Sequence, residues 1–206
     1  MPRPRFDKLP QSQRDSILSA AVDEFAAHGY GNASLNRIIN VAGLSKGSMY
    51  YYFDGKDDLY AHVIRAQVED LFSREGPFPV PQGPDPEAFW ATLTDYYLRL
   101  LRLLIASPTA AALLRDWITA SAGAPIREAV NDAEQDMLPW LTQTLTAGQR
   151  IGAIRTDLPA DLIISVAMAI GQALDIWLIG RVGGENDLAD LVGPLMDLLR
   201  RAVAPD

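Results

Sequence analysis

Two short runs with helical spacing stand a few residues apart near the N-terminus, and no other feature of the 206-residue chain narrows its fold so far. The first spans Leu35 to Val41, with Leu35, Ile38 and Ile39 on one side and Ser34 placed to cap its start. The second opens at Ser45, another capping residue, and runs through Tyr52. Ala42, Gly43 and Leu44 lie between them. Two short helices joined by a three- or four-residue turn containing a glycine form a helix-turn-helix, and Gly43 supplies that turn.

The rest of the chain reads as helix punctuated by glycine and proline. Ile17, Leu18, Ala21, Val22 and Phe25 recur with amphipathic spacing, and His28-Gly29 is the expected stop, with Gly29 left-handed. Asp54 can cap a further helix from about Gly55, with Asp57 and Asp58 suiting its positive end and Leu59, Val63, Ala66 and Leu71 inward. Residues 76–86 carry five prolines and two glycines and are expected to be irregular. Helices are then expected near 86–106, 109–121, 125–150, 160–181 and 187–203, with breaks at Ser107-Pro108, Gly123 to Pro125, Gly152 to Pro159 and Gly183-Gly184. No segment alternates like a strand. The expected fold is all-α, about nine helices, with a three-helix N-terminal domain over 1–56 and a helical bundle over 57–206.

Charge is distributed unevenly. The chain carries a net −8, but residues 1–50 hold six basic groups against four acids, so the excess of negative charge lies in the remainder. An acidic body with a mildly basic N-terminal end fits a protein that presents that end to a polyanion. The first ten residues, with Arg3 and Arg5, read as a frayed terminus rather than a minor-groove arm. Their charge is followed by no apolar stretch, and there is no cysteine, so a cytoplasmic protein is expected. Leu162–Gly180 approaches membrane-spanning length, but Gln172 and Asp175 inside it favour a soluble helix, and no membrane partner is expected.

Enzymatic readings find little support. His28 and His62 are the only histidines and are not spaced as metal ligands, and nucleophile-elbow, phosphate-loop and dinucleotide motifs are missing. Asp132, Glu134 and Asp136 read as a solvated helix face. No catalytic residue, cofactor or metal is expected.

The second short helix exposes small polar groups at its start, Ser45, Lys46 and Ser48, which would let the backbone approach base edges. Tyr50, Tyr51 and Tyr52 follow, with phenols suited to phosphate oxygens, although three successive helical residues cannot share one face and one should turn inward. Lys56 opposes the dipole of the next helix, a conflict that a bound phosphate would resolve; the alternative is a solvated lysine.

Residues 10–60 resemble the DNA-binding domain of the TetR family of bacterial transcription regulators. The resemblance rests on Ala20–Gly29, on Ser34–Gly43 and above all on Leu44-Ser45-Lys46-Gly47-Ser48-Met49-Tyr50-Tyr51-Tyr52-Phe53, followed by Lys56 and Leu59. Asn40-Val41 departs mildly from the usual pattern. The resemblance implies that Ser34, Asn36 and Arg37 approach double-stranded operator DNA, that Lys46, Gly47 and Ser48 contact or lie near bases, and that Tyr50, Tyr51, Tyr52 and Lys56 meet the backbone. It implies core roles for Ile38, Val41, Leu44, Met49, Phe53 and Leu59.

The same resemblance implies a C-terminal bundle that binds a small effector and pairs two chains, and hence a ligand-responsive regulator, a repressor at a near-palindromic operator. Trp90, Tyr97, Trp117, Met137, Trp140, Met168 and Trp177 are candidates to line the effector cavity, with Arg115, Gln172 and Asp175 as its polar members. A homodimer is expected through the last two helices. Ala167, Ala169, Gly171 and Ala173 permit close approach there, Leu188, Leu191, Leu195, Leu198 and Ala202 form an apolar stripe, and Pro194 should kink the final helix. The alternative is an all-α ligand-binding or enzymatic protein with an incidental helix-turn-helix-like segment.

Overall fold

The computed structural model describes the backbone of residues 4–119, 124–179 and 185–205, and their side chains except 118–119, 124–136, 179, 185–187 and 189. Among the described residues there are nine helices and no strand: α1 Gln11–Asn32, α2 Leu35–Val41, α3 Lys46–Tyr52, α4 Lys56–Glu75, α5 Pro86–Ile105, α6 Pro108–Thr119, α7 Ala124–Arg150, α8 Ala160–Ile179 and α9 Glu185–Val203. The two short helices and the break before α6 fall where capping and proline signals place them. Helix α1 runs on past its expected stop: Gly29 has φ +67°, as its role requires, but the chain resumes helix for one more turn beyond this kink. Helix α9 runs through Pro194 as one helix. Of the break expected from Gly123 to Pro125, Ala124 and Pro125 already belong to α7, since proline is tolerated in the first turn of a helix, while Gly123, the break at Gly183-Gly184 and the acidic side chains of Asp132, Glu134 and Asp136 lie outside the described residues.

The chain forms two compact units that do not follow chain order. The first comprises Met1–Asp70 and Ser107–Ala133, the second Leu71–Ala106 and Glu134–Asp206. This differs from a division at 56/57. Helix α4 contributes Leu59, Tyr60, Val63 and Ile64 to the first core, and α6 packs along α1 and sends Leu113 into that core. Helical periodicity marks which face of a helix is buried; it does not mark against what.

The first unit is organised around Ile17, Ala21, Phe25, Ile38, Met49, Phe53, Leu59 and Tyr60, all essentially inaccessible. From residue 4 onward its N-terminal segment is not frayed. Phe6 is 2% exposed and meets the rings of Phe53 at 4.9 Å and His62 at 5.3 Å. Burying a phenylalanine contributes about 2–3 kcal/mol, enough to order a short segment beside a formed core.

The second unit has two apolar clusters. One gathers Phe89, Trp90, Leu145, Ile154, Ile163 and Val203, the other Leu101, Leu178, Leu188, Val192 and Met196, and Leu93 and Leu199 pack against both. At the end of α7, a Cβ on Gly148 would lie 2.6 Å from Ile154 Cδ1 and 2.8 Å from Phe89 Cζ, so only glycine permits this approach. The Trp90 indole N–H donates to the Ala153 carbonyl at 3.2 Å. The proline-rich loop is irregular as expected but pinned. Phe78 packs on Phe72, Tyr96 and Trp140, and Trp140 Nε1 donates to Pro79 O at 2.8 Å.

Helix α8 is long and apolar enough to cross a bilayer. Its inner side packs through Ile163, Leu174 and Leu178, while Leu162, Val166, Ile176 and Trp177 stand exposed on the other side with Ala169 and Ala173 among them. The stripe expected to pair chains from α9 is mostly turned the other way: Leu188 is fully buried, and Leu191, Leu195 and Ala202 pack against the unit's own clusters. Leu198 alone of the five is exposed. An apolar stripe has the same spacing whether it meets its own chain or a second copy.

Candidate nucleic-acid interface

The α2–α3 pair is built by local hydrogen bonds. Ser34 Oγ accepts from the Arg37 N–H at 3.4 Å and Ser45 Oγ from the Ser48 N–H at 3.0 Å, so each helix starts on a serine cap. Between them, Gly43 has φ +65°, and the Leu44 N–H reaches back to the Ile39 carbonyl at 3.0 Å, which closes the end of α2. Ile38, Ile39, Met49 and Phe53 are buried and Leu44 packs against them. Val41, implied to be core, is instead 75% exposed, because the last turn of α2 carries it away from α1 and α3.

With Met49 as the inward anchor, α3 turns Lys46, Gly47, Tyr50 and Tyr51 outward on one face. Tyr50 and Tyr51 are 45% and 48% exposed, large apolar rings presented to solvent. Tyr52 is the tyrosine that turns inward, edge-on to Phe6. The Arg5 guanidinium lies 4.4 Å from the centre of the Tyr51 ring, which adds a cation to the face. Ser45 is exposed and Ser48 half-buried, its hydroxyl 2.8 Å from that of Ser45. A Cβ on Gly47 would find only Ser45 Oγ within 4 Å, at 3.8 Å, so the helix surface is shallow there. Asn36 is exposed on α2.

Two of the cationic candidates have partners within the protein. Arg37 Nε donates to both Glu24 carboxylate oxygens, at 2.9 and 3.0 Å, and Nη2 to the Asn32 carbonyl at 3.2 Å. The Arg37 hydrogen bonds hold the Glu24 carboxyl below its ordinary pKa, and Glu24 also accepts from the Ser34 N–H at 2.7 Å. Lys56 Nζ donates to the carbonyls of Tyr30 at 2.7 Å and of Gly31 and Ala33 at 3.3 Å, and lies 4.5 Å from the Tyr30 ring centre. The three ammonium donors therefore close the carbonyl end of α1, a role that neither a phosphate contact nor a solvated lysine anticipates.

A residue that no sequence signal marks holds this corner together. Asp116 of α6 accepts from the Tyr30 N–H at 2.7 Å and the Tyr60 hydroxyl at 2.8 Å. Its carboxylate occupies the space that a side chain on Gly29 would need, 2.9 Å from the position of a Cβ there. Burial and this carboxylate push the Tyr60 phenol well above its ordinary range. Tyr30 hydrogen-bonds Asp57, and burial first, then Asp57, pushes its pKa up to about 12.

Residues 17–63, the span that holds this whole arrangement, match the family described as bacterial regulatory proteins, tetR family. Over 195 residues the chain is 32% identical to the HTH-type transcriptional repressor SCO4008 of Streptomyces coelicolor, covering 89% of this chain and 92% of that one. The chain belongs to the TetR family. A crystal structure of a TetR family transcriptional regulator from Chloroflexus aurantiacus shares the fold over 100% of both chains, with a TM-score of 0.64 and 24% identity. So does FadR from Bacillus subtilis, solved in complex with stearoyl-CoA, over 89% of this chain and 96% of that one, with a TM-score of 0.60 and 21% identity.

In this TetR-family regulator the ten effector candidates are divided between the two units. Arg115 and Trp117 lie on α6 in the first unit, and Trp117 packs against that unit's core. Trp90 and Trp140 are bonded to backbone carbonyls as structural anchors. Gln172 and Trp177 stand on the exposed side of α8, and Met137 and Met168 are half-buried. Tyr97 and Asp175 do come together: the phenol donates to Asp175 Oδ1 at 2.6 Å. Among the described residues no group of acids and histidines could hold a metal ion.

Proposed function

We propose that this TetR-family regulator is a repressor that binds a near-palindromic operator as a homodimer and is released by a small molecule. The observation that carries the reading is the outward face of α3, where Lys46, Gly47, Tyr50 and Tyr51 stand together while Met49 anchors the opposite side in the core. A shallow helix with a lysine and a glycine at its start can approach base edges, and phenols at its end can reach phosphates. Ser45 and Ser48 lie on the same helical turn as that face, and Asn36 is exposed on α2. Ser34 and Arg37 are read as positioning α2, with Arg37 near enough to the surface to add charge. Lys56 is read as a scaffold for α1.

The exposed apolar side of α8, with Leu198 of α9, supports a two-fold interface between copies of the chain, and it explains an apolar helix without a membrane. A cytoplasmic location goes with this reading. Two copies place their α3 helices in successive major grooves about 34–36 Å apart. Effector binding in the second unit would favour a different separation, and a coupling of about 1–3 kcal/mol lowers DNA affinity about 5–150-fold. Both α4 and α7 run from one unit into the other, and each offers a continuous path for that change.

Fluorescence anisotropy with duplexes from the DNA flanking the chain's own gene tests the reading. Lys46→Ala and Tyr51→Ala should each weaken specific binding by about 1–3 kcal/mol while the melting temperature stays within a degree or two, since both side chains are exposed. Equal affinity for those duplexes and random DNA at every salt concentration would reject it.

A further inference from the structure

Asp175 stands at the edge of the inward side of α8, a carboxylate deep inside a largely apolar helix. Its one described hydrogen bond comes from the Tyr97 hydroxyl of α5, at 2.6 Å, and Tyr97 itself packs against the Leu101–Leu178–Met196 cluster. A phenol supplies one donor and no charge, so Oδ2 keeps its acceptor sites and the negative charge has no counter-ion among the described residues. Desolvation accordingly raises the Asp175 pKa, and burial together with the carboxylate raises that of Tyr97. A chain that needed only packing here would be served as well by a leucine.

The helix leaves room beside this group. Gly171 lies one turn before Asp175, on the side of α8 that carries Ala167, Leu174 and Leu178 inward, and it is itself half-buried. Yet a Cβ built there meets no heavy atom of a described residue within 4 Å. Space beside a half-buried position of α8, next to a carboxylate that holds a phenol and with Met168 one turn before it, has the composition of a small-molecule site: apolar walls with a few polar groups that fix orientation.

We propose that Asp175 and Tyr97 form the recognition pair of an effector site in the second unit, and that its ligand is an apolar organic cation carrying an ammonium-type N–H group. The cation meets Oδ2 and supplies the missing countercharge, the Tyr97 hydroxyl holds Oδ1, and the apolar part fills the space over Gly171. The proposal rests on the reading of this chain as an effector-responsive regulator. An anionic ligand is disfavoured because its charge would face the Asp175 carboxylate.

Calorimetric titration of the intact protein with 4-phenylbutylamine, 4-phenylbutanol and 4-phenylbutyrate tests it, because the three differ only in the terminal group. The amine should bind at least about tenfold more tightly than the alcohol or the acid, a difference of ~1.4 kcal/mol. Asp175→Asn should abolish that preference and leave the alcohol's affinity unchanged, and Gly171→Leu should remove binding of all three. Thermal unfolding of each variant keeps a folding defect apart from a binding defect, and Tyr97→Phe, which keeps the ring, should shrink the amine's advantage without abolishing it. No binding by the amine, no preference for it, or a preference that survives Asp175→Asn overturns the proposal. Operator binding, measured without probe, fails separately if the regulatory reading itself is wrong.

Discussion

Lys46 and Lys56 stand ten positions apart, the first implied to lie near bases and the second to meet the DNA backbone, and their surroundings assign them different work. Lys46 is exposed at the start of α3, while the Lys56 ammonium spends its donors on three carbonyls at the end of α1. Lys56→Ala should therefore cost about 1–3 kcal/mol in stability, the range for hydrogen bonds made by a charged group, reduced here by partial exposure. It should leave the salt dependence of DNA binding unchanged, whereas Lys46→Ala should lower the salt slope by about one and leave stability alone. Denaturant unfolding and anisotropy over a salt series separate the two. Asp116 shows the same principle from the other side: one carboxylate serving a backbone N–H and a phenol has no local spacing that would announce it.

Helix α4 carries a histidine whose environment sets a pH limit on the first unit. His62 lies against Phe6 and Phe53, and desolvation lowers its pKa despite the opposing pull of Asp58 and Asp7. A base whose folded pKa is below its unfolded value binds fewer protons when folded, so stability is lost as pH falls below about 6.5. Melting curves at pH 7.5 and 5.5 should show a larger drop for the native chain than for His62→Gln, which has no proton to gain in this range. The ends of α2 and α3 were legible because serine caps and a turn glycine are local signals, and helical spacing required one of the three tyrosines to turn inward, while the inward Met49 came with the family resemblance. Three things were not legible. Phe6 stands among prolines and charges with no periodicity to mark it; the stripe on α9 does not say which surface it meets; and α6 carries nothing that assigns it to the N-terminal core. Of the ten effector candidates, Tyr97 and Asp175 were chosen by type alone, and their pairing 78 residues apart is a property of the fold.

At the scale of the molecule, the exposed apolar side of α8 is read as the surface that pairs two copies. Val166→Glu with Ile176→Glu should convert the dimer to monomer in sedimentation and weaken operator binding by far more than either substitution could through contacts with DNA, since a lone helix-turn-helix loses the second half-site. An unchanged sedimentation coefficient would place the pairing surface elsewhere. The membership of α6 in the N-terminal core bears on how such regulators exchange parts. Because Leu113 and Asp116 complete a unit begun a hundred residues earlier, a DNA-reading end severed after α4 would carry away an unfilled hollow and a phenol robbed of its acceptor. Grafting this reader onto another sensor must therefore move two separate stretches of gene together, or repair the seam by substitution.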